Sequence, residues 1–192
     1  MTISSVPSAT PYSSLTDTTV QKNAPRHKTQ PPKGNENDKA LLYVAFGSNE
    51  GNREQLIAQA AQRLGERIGR LIKLSALYET EPEGFVSENL FMNAAAAYET
   101  SLKASKILGI SQEIERELGR RQKSRDGIYH DRSIDIDLLW KSDETVDSPS
   151  LTLPHPRMKE RLFVMEPFAE IAPLLSLDGE SIESLAQRLK ER

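Results

Sequence analysis

The chain has no cysteine among its 192 residues, so neither a disulfide framework nor a thiolate metal site is available to it. No apolar run approaches the roughly 20 residues that a membrane-spanning helix needs. Excess positive charge is missing too. The net charge is -3, so the field of the whole molecule does not favour nucleic acid, and any anion site must come from a local basic cluster. There is no G-x-x-x-x-G-K-[ST] loop and no G-x-G-x-x-G turn, which excludes those two modes of nucleotide binding. The histidines, His27, His130 and His155, do not stand at metal-ligand spacing. Nothing supports a serine-type triad. What remains is a polar globular chain of 37% apolar and 28% charged residues, long enough for one domain. The lack of cysteine suits a reducing compartment, and a cytoplasmic protein is expected.

Residues 1–39 differ from the rest. They hold five of the eleven prolines, are rich in serine and threonine, and show no apolar periodicity. Such a segment buries too little apolar surface to offset the entropy of ordering, so a disordered tail is expected before a domain at 40–192. The first 35 residues carry one acid, Asp17, and one arginine, Arg26, without the amphipathic pattern of a transit peptide.

From Ala40 the apolar pattern becomes regular. "ALLYVAF" reads as a strand, and "GSNEGN" as a turn with two candidate helix N-caps, Asn49 and Asn52. Leu56, Ile57, Ala60, Ala61 and Leu64 then repeat at helical spacing. "RLIKLSALYET" alternates as one long strand, "EPEGFVSEN" is a loop, and "LFMNAAAAYET" is a third strand. Leu102–Leu118 forms a second helix, with Gly119 placed as its C-cap glycine. A polar loop leads to a strand at Ser133–Trp140. A short edge strand at Thr145–Val146, one or two short helices within "LTLPHPRMKERLFVMEPFAEIAP", and a last helix from about Ser181 complete the chain. The order is βαββαβ, the plan of a ferredoxin-like α+β sandwich with helices on one face of an antiparallel sheet.

The chemistry concentrates in "DRSIDIDLLW", Asp131 to Trp140. Aspartate is a poor strand residue. Residues two apart on a strand share a face, so Asp135 and Asp137 point together with Ser133 and Leu139, while Ile134, Ile136, Leu138 and Trp140 face a core. Their backbones lie roughly 7 Å apart. Two carboxylates so close repel, and a divalent cation resolves the conflict; Mg2+ is commonly held by one or two carboxylates plus substrate phosphates. For the isolated pair, a half-exposed strand with acids facing water is the better reading. The surroundings favour the cation. Between Arg116 and Arg132 lie six basic residues and three acids. Arginine grips phosphate oxygens bidentately and offsets charge during transfer. Two alternatives remain at this level. A ferredoxin-like RNA-binding module would need exposed aromatics and a basic sheet face, and a Mg2+-dependent nucleotidyltransferase would use the same acid pair.

Taken together, "VAFGSNEGN", "YETEPEGF", "FMNAA", "GRRQKSRDGIYHDRSIDIDLLW" and "LTLPHPRMKERLFVMEPFAEIAP" resemble, in order and spacing, the 6-hydroxymethyl-7,8-dihydropterin pyrophosphokinase family of folate biosynthesis. The likeness covers about Ala40 to Leu175. It implies a ferredoxin-like α+β fold and transfer of the β,γ-pyrophosphoryl group of ATP to the pterin alcohol, with AMP released and two Mg2+ ions on the phosphates. It implies small-molecule substrates only, with no nucleic acid or membrane partner. Carried onto this chain, Asp135 and Asp137 become metal ligands, and Arg120 and Arg132 the arginines that assist transfer. Glu115, Lys123, Leu138, Thr152, His155 and Arg161 become the ATP site. Thr80, Phe91, Asn93 and Phe163 become the pterin site. A flat ring with a polar rim suits stacking between aromatics and hydrogen bonds to its edge. The chain departs from the family pattern at Gln122, Ser150, Pro156 and Glu81, and in a longer loop between Lys123 and Arg132.

Overall fold

A computed structural model describes residues 39–120 and 130–192. The tail at 1–38 and the basic loop residues 121–129, Lys123 among them, lie outside the described residues. Strand β1 (Ala40–Ser48) leads into helix α1 (Arg53–Ile68), followed by β2 (Gly69–Leu74), β3 (Tyr78–Thr80) and β4 (Phe91–Thr100). Helix α2 (Ala104–Glu117) precedes β5 (Asp135–Lys141). A hairpin of β6 (Val146–Ser148) and β7 (Leu151–Leu153), helix α3 (Leu162–Ile171), the small ribbon β8 (Ser176–Leu177) with β9 (Glu180–Ser181), and helix α4 (Ile182–Lys190) close the chain.

The main sheet runs β2-β4-β1-β5, with β3 also paired to β4, and every pairing is antiparallel. Taking β2 and β3 as one interrupted strand, this is the βαββαβ order expected. The interruption has a visible cause. Between Leu74↔Ala96 and Tyr78↔Asn93 the edge strand uses one residue more than β4. Ser75 absorbs it: its amide donates to Ala95 O at 2.9 Å, and its Oγ, in place of a backbone carbonyl, accepts from Ala95 N at 2.9 Å.

Alternation sorts the sheet's side chains between two apolar clusters. Leu42, Val44 and Phe46 of β1, with Met92, Ala94, Ala96 and Tyr98 of β4, pack under α1 and α2. Tyr43, Ala45, Ala95 and Ala97 pack instead under α3 and α4. The sequence led us to expect helices on one face. The C-terminal helices cover the second face, so the four consecutive alanines of β4 are buried from both sides. Small side chains there let α3 come close, and Phe168 of that helix meets Tyr43 with ring centroids 5.0 Å apart.

One face assignment needs correction. The β1–β5 register shifts between Tyr43 and Val44. This bulge opposes Leu138 and Trp140, and the extra residue breaks the alternation. Trp140 therefore packs beside Leu139 in the α3–α4 cluster rather than in the core under α1 and α2. Its ring centroid stands 5.9 Å from that of Tyr43.

Candidate active site

At the end of β5 where the bulge has no influence, the alternation holds as expected. Ile134, Ile136 and Leu138 are buried under α1 and α2, and Asp135 and Asp137 face the other way. The register carries that face across the sheet. Asp135 lies opposite Gly47 of β1, Gly47 opposite Asn93 of β4, and Asn93 opposite Tyr78 of β3. Phe91 and Thr80 form the next pair on the same side. Gly47 opens the middle of this row. A Cβ there would stand 3.4 Å from Asn93 Oδ1 and 3.8 Å from a Phe91 ring carbon. Between the acids and the amide the floor is thus bare backbone.

Of the residues that the resemblance assigns to the pterin, Thr80, Phe91 and Asn93 stand together on β3 and β4. Asn93 is buried, and its Nδ2 donates to Thr80 Oγ1 at 2.9 Å. That bond fixes the amide and leaves Oδ1 directed over Gly47. The Arg132 guanidinium carbon sits 5.0 Å from the centroid of the buried Phe91 ring. Phe85, from the 81–90 loop, meets the Phe91 ring edge-on at 6.1 Å. Phe163 occupies the first turn of α3, with Arg161 5.7 Å from its ring.

On the acid side, Arg120 is the hub. It leaves the C-terminus of α2, where the Gly119 amide bonds back to Arg116 O at 3.1 Å and the Arg120 amide to Glu115 O at 2.9 Å. Its Nη1 donates to Glu115 Oε1 at 2.6 Å and also to Asp135 Oδ1. Glu115 is almost fully buried and accepts in addition from the Ile136 amide at 2.9 Å. Glu115 therefore holds the start of β5 and the Arg120 head together. Arg132 Nε approaches Asp135 Oδ2 at 3.2 Å without the alignment of a hydrogen bond.

These charges split the two acids. Burial alone would raise both carboxyls. For Asp135, the Arg132 and Arg120 charges outweigh that, and its carboxyl is held below the ordinary range. Asp137 gains less from Arg161 and Arg132. Burial, then the Asp135 charge beside it, pushes its carboxyl from 3.8 up to about 7. A pair that resists full ionisation is chemically suited to a cation, and a divalent ion on this face would relieve the repulsion. No group of three or more potential metal-ligating side chains stands together among the described residues, so a metal here would draw its other ligands from phosphate and water.

The other residues that the resemblance assigns to ATP are spread over β5, β7 and the segment that follows β7. His155 follows Pro154, donates its amide to Leu139 O at 2.8 Å, and accepts at Nδ1 from the Arg157 amide at 3.2 Å. Burial, with the nearby Arg161 and Arg157 charges, lowers its pKa and favours the neutral ring. Thr152 sits half-exposed on β7. The Leu138 side chain belongs to the core under α1 and α2, which leaves its backbone as what it can offer a ligand. Lys123 falls outside the described residues.

The sequence reading missed the "GSN" turn. Asn49 is no helix cap; Asn52 is, accepting from the Gln55 amide at 3.1 Å. Asn49 is instead buried, and it bonds the Arg132 backbone on both sides, N to Arg132 O at 3.1 Å and Oδ1 from Arg132 N at 2.8 Å. Ser48 Oγ donates to Ser133 O at 2.5 Å. The signal available was chemical: an asparagine directly after a buried strand is as well placed to satisfy a neighbouring loop as to cap a helix.

Comparison with known proteins is consistent with this geometry. Residues 43–173 match the family described as 7,8-dihydro-6-hydroxymethylpterin-pyrophosphokinase (HPPK). The chain is 52% identical over 137 residues to the 2-amino-4-hydroxy-6-hydroxymethyldihydropteridine pyrophosphokinase of Porphyromonas gingivalis, covering 71% of this chain and 93% of that protein. It is 39% identical over 145 residues to the Bacillus subtilis protein of the same name, covering 75% and 85% respectively. Among solved structures, an HPPK-DHPS complexed with substrates aligns with a TM-score of 0.65 at 15% identity, over 80% of this chain and 44% of that one. A Plasmodium falciparum HPPK-DHPS aligns at 0.64 and 17% identity, over 82% and 47%. The chain thus spans under half the length of these two solved chains, and at such identity they show the fold alone.

Proposed function

The chain belongs to the 7,8-dihydro-6-hydroxymethylpterin-pyrophosphokinase family, and from that premise we propose how its acid face works. The protein transfers a pyrophosphoryl group from ATP to 6-hydroxymethyl-7,8-dihydropterin in folate synthesis. The hydroxymethyl oxygen attacks the β-phosphorus and releases its proton. The new O–P bond forms as the bond between that phosphorus and the bridging oxygen of AMP breaks, and AMP leaves with the electron pair.

In our reading the pterin lies over Gly47, with Asn93 and Thr80 at its rim and Phe91 and Phe163 as its aromatic walls. Glu115, Lys123, Leu138, Thr152, His155 and Arg161 form the ATP side. Asp135 and Asp137 would hold Mg2+, two ions in all, which would neutralise phosphate charge and help align donor and acceptor. The protein's own part is positioning and charge. Arg132, together with Arg120, which Glu115 locks in place, keeps Asp135 ionised. Arg132, on Phe91, sets a positive charge between the ring's place and the acid pair, where negative charge grows as AMP departs. A neutral His155 can stack or hydrogen-bond without adding charge. The catalytic unit is taken as residues 40–192 and the setting as the cytoplasm.

The observation that carries this is the row Asp135–Gly47–Asn93, which sets a charged end and a neutral amide end on one open strip of sheet. The test is AMP formed from ATP, with and without the hydroxymethyl-dihydropterin, in Mg2+. Pterin-dependent AMP is expected; AMP formed equally without it would point to the nucleotidyltransferase or hydrolase class instead.

A further inference from the structure

Asp131 stands just before Arg132 and has no part in the roles assigned above. Its two carboxylate oxygens face different segments. Oδ1 accepts from Asn49 Nδ2 at 2.6 Å, in the turn after β1. Oδ2 accepts from Asn89 Nδ2 at 2.9 Å, in the loop between β3 and β4. Ser87, in that same loop, accepts the Asn89 amide at 3.1 Å and lies beside the Asp131 carboxylate. With Ser87 first, then the two asparagines and the Arg132 charge, these contacts hold the carboxyl below its ordinary range. Only an ionised carboxylate accepts on both oxygens at once; an amide in its place turns one acceptor into a donor.

The ends of this junction meet at one ring. The 81–90 loop contributes Phe85 to the edge of Phe91, and the Asp131 neighbour, Arg132, lies over its face. Arg53 also holds this end of the loop, donating to Leu90 O at 2.7 Å and pairing with Glu79 of β3 at 2.8 Å. That anchor does not reach Arg132. We infer that Asp131 is a positioning residue that ties the 81–90 loop to the backbone of Arg132, so that the wall of the pterin pocket and the transfer arginine are set as one unit. The inference rests on the pterin-transfer reading for its kinetic consequence and on the hydrogen bonds alone for its structural one.

An exchange of partners tests it. N89D places a second carboxylate against Asp131 and should break the link. D131N with N89D reverses the polarity: the new amide can donate to residue 89 while still accepting from Asn49. With N89D alone, KM for the pterin should rise and kcat fall, each by about tenfold, the worth of one hydrogen bond to a charged group. The double variant should return both to within about threefold of the parent, with KM for ATP little changed throughout. Hydrogen exchange at the amides of residues 87–90 supplies a readout that needs no reaction. It should speed up in N89D and slow again in the double variant. Should the parent form no pterin-dependent AMP, the reaction assigned above fails, and exchange alone decides the role of Asp131. Unchanged exchange in N89D, or a double variant no better than N89D, overturns the inference.

Discussion

Asp137 is the residue whose chemistry is most exposed to experiment. Its carboxyl is raised from 3.8 to about 7 by burial and by Asp135. The folded state therefore binds more protons than the unfolded state between those values, and stability contributed by this group falls as pH rises through that window. D137N removes the titration. The stability of the metal-free parent relative to D137N should decline from pH 4 to pH 7 and level off above it; denaturant melts at several pH values check this. A flat difference would mean that Asp137 ionises freely. Under saturating Mg2+ the decline should shrink, because a cation favours the charged form. D135N and D137N should each lower kcat by about a hundredfold or more, as loss of an electrostatic stabiliser does, while leaving the circular dichroism spectrum intact. Near-normal turnover in both would remove them from the site.

At the scale of elements, the site depends on junctions more than on strands. The β2–β3 edge is clamped to α3 by Glu170, whose carboxylate accepts from the Ala76 amide at 3.0 Å and from the Tyr78 hydroxyl at 2.9 Å. Tyr78 pairs with Asn93, so this clamp ties the helix that bears Phe163 to the strand that fixes the amide. E170A should lower stability by about 1 kcal/mol and raise KM for the pterin more than KM for ATP. Equal effects on both would make the clamp merely structural. At the start of β2, Gly69 has φ 145°, and a Cβ there would lie 2.2 Å from Glu99 O. Backbone cannot yield as a flexible side chain does, so G69A should cost about 3 kcal/mol in a denaturant melt.

These elements show what could be read in advance and what could not. Periodicity located α1, α2 and β5, because each buries one regular face, whereas β1 and β4, buried on both faces, were legible only as short apolar runs. Strict alternation also put Asp135 and Asp137 on one face. It failed at Trp140, where a bulge adds a residue, and at Ser75, where a side chain takes over a backbone bond; neither leaves a mark in the apolar pattern. The roles of Asn49 and Asp131 were hidden for another reason. The two pair with each other across 82 residues of chain, and polar pairing over that separation has no periodicity to reveal it.

For the whole molecule, the second layer formed by α3 and α4 turns a two-layer sandwich into a three-layer one. All the site residues proposed here lie between Gly47 and Phe163, inside the family match at 43–173. Removing residues 1–38 should therefore leave kcat/KM and the melting temperature of the remainder unchanged; loss of either would show that the tail contributes to the fold or the site. The central claim is that the group transferred is pyrophosphate rather than a single phosphoryl group. ATP labelled with radioactive phosphorus at the β position tests it most directly, by chromatography of the products formed with the pterin and Mg2+. The label should leave the nucleotide and appear in the pterin product, with unlabelled AMP beside it. Label retained in ADP would contradict the account.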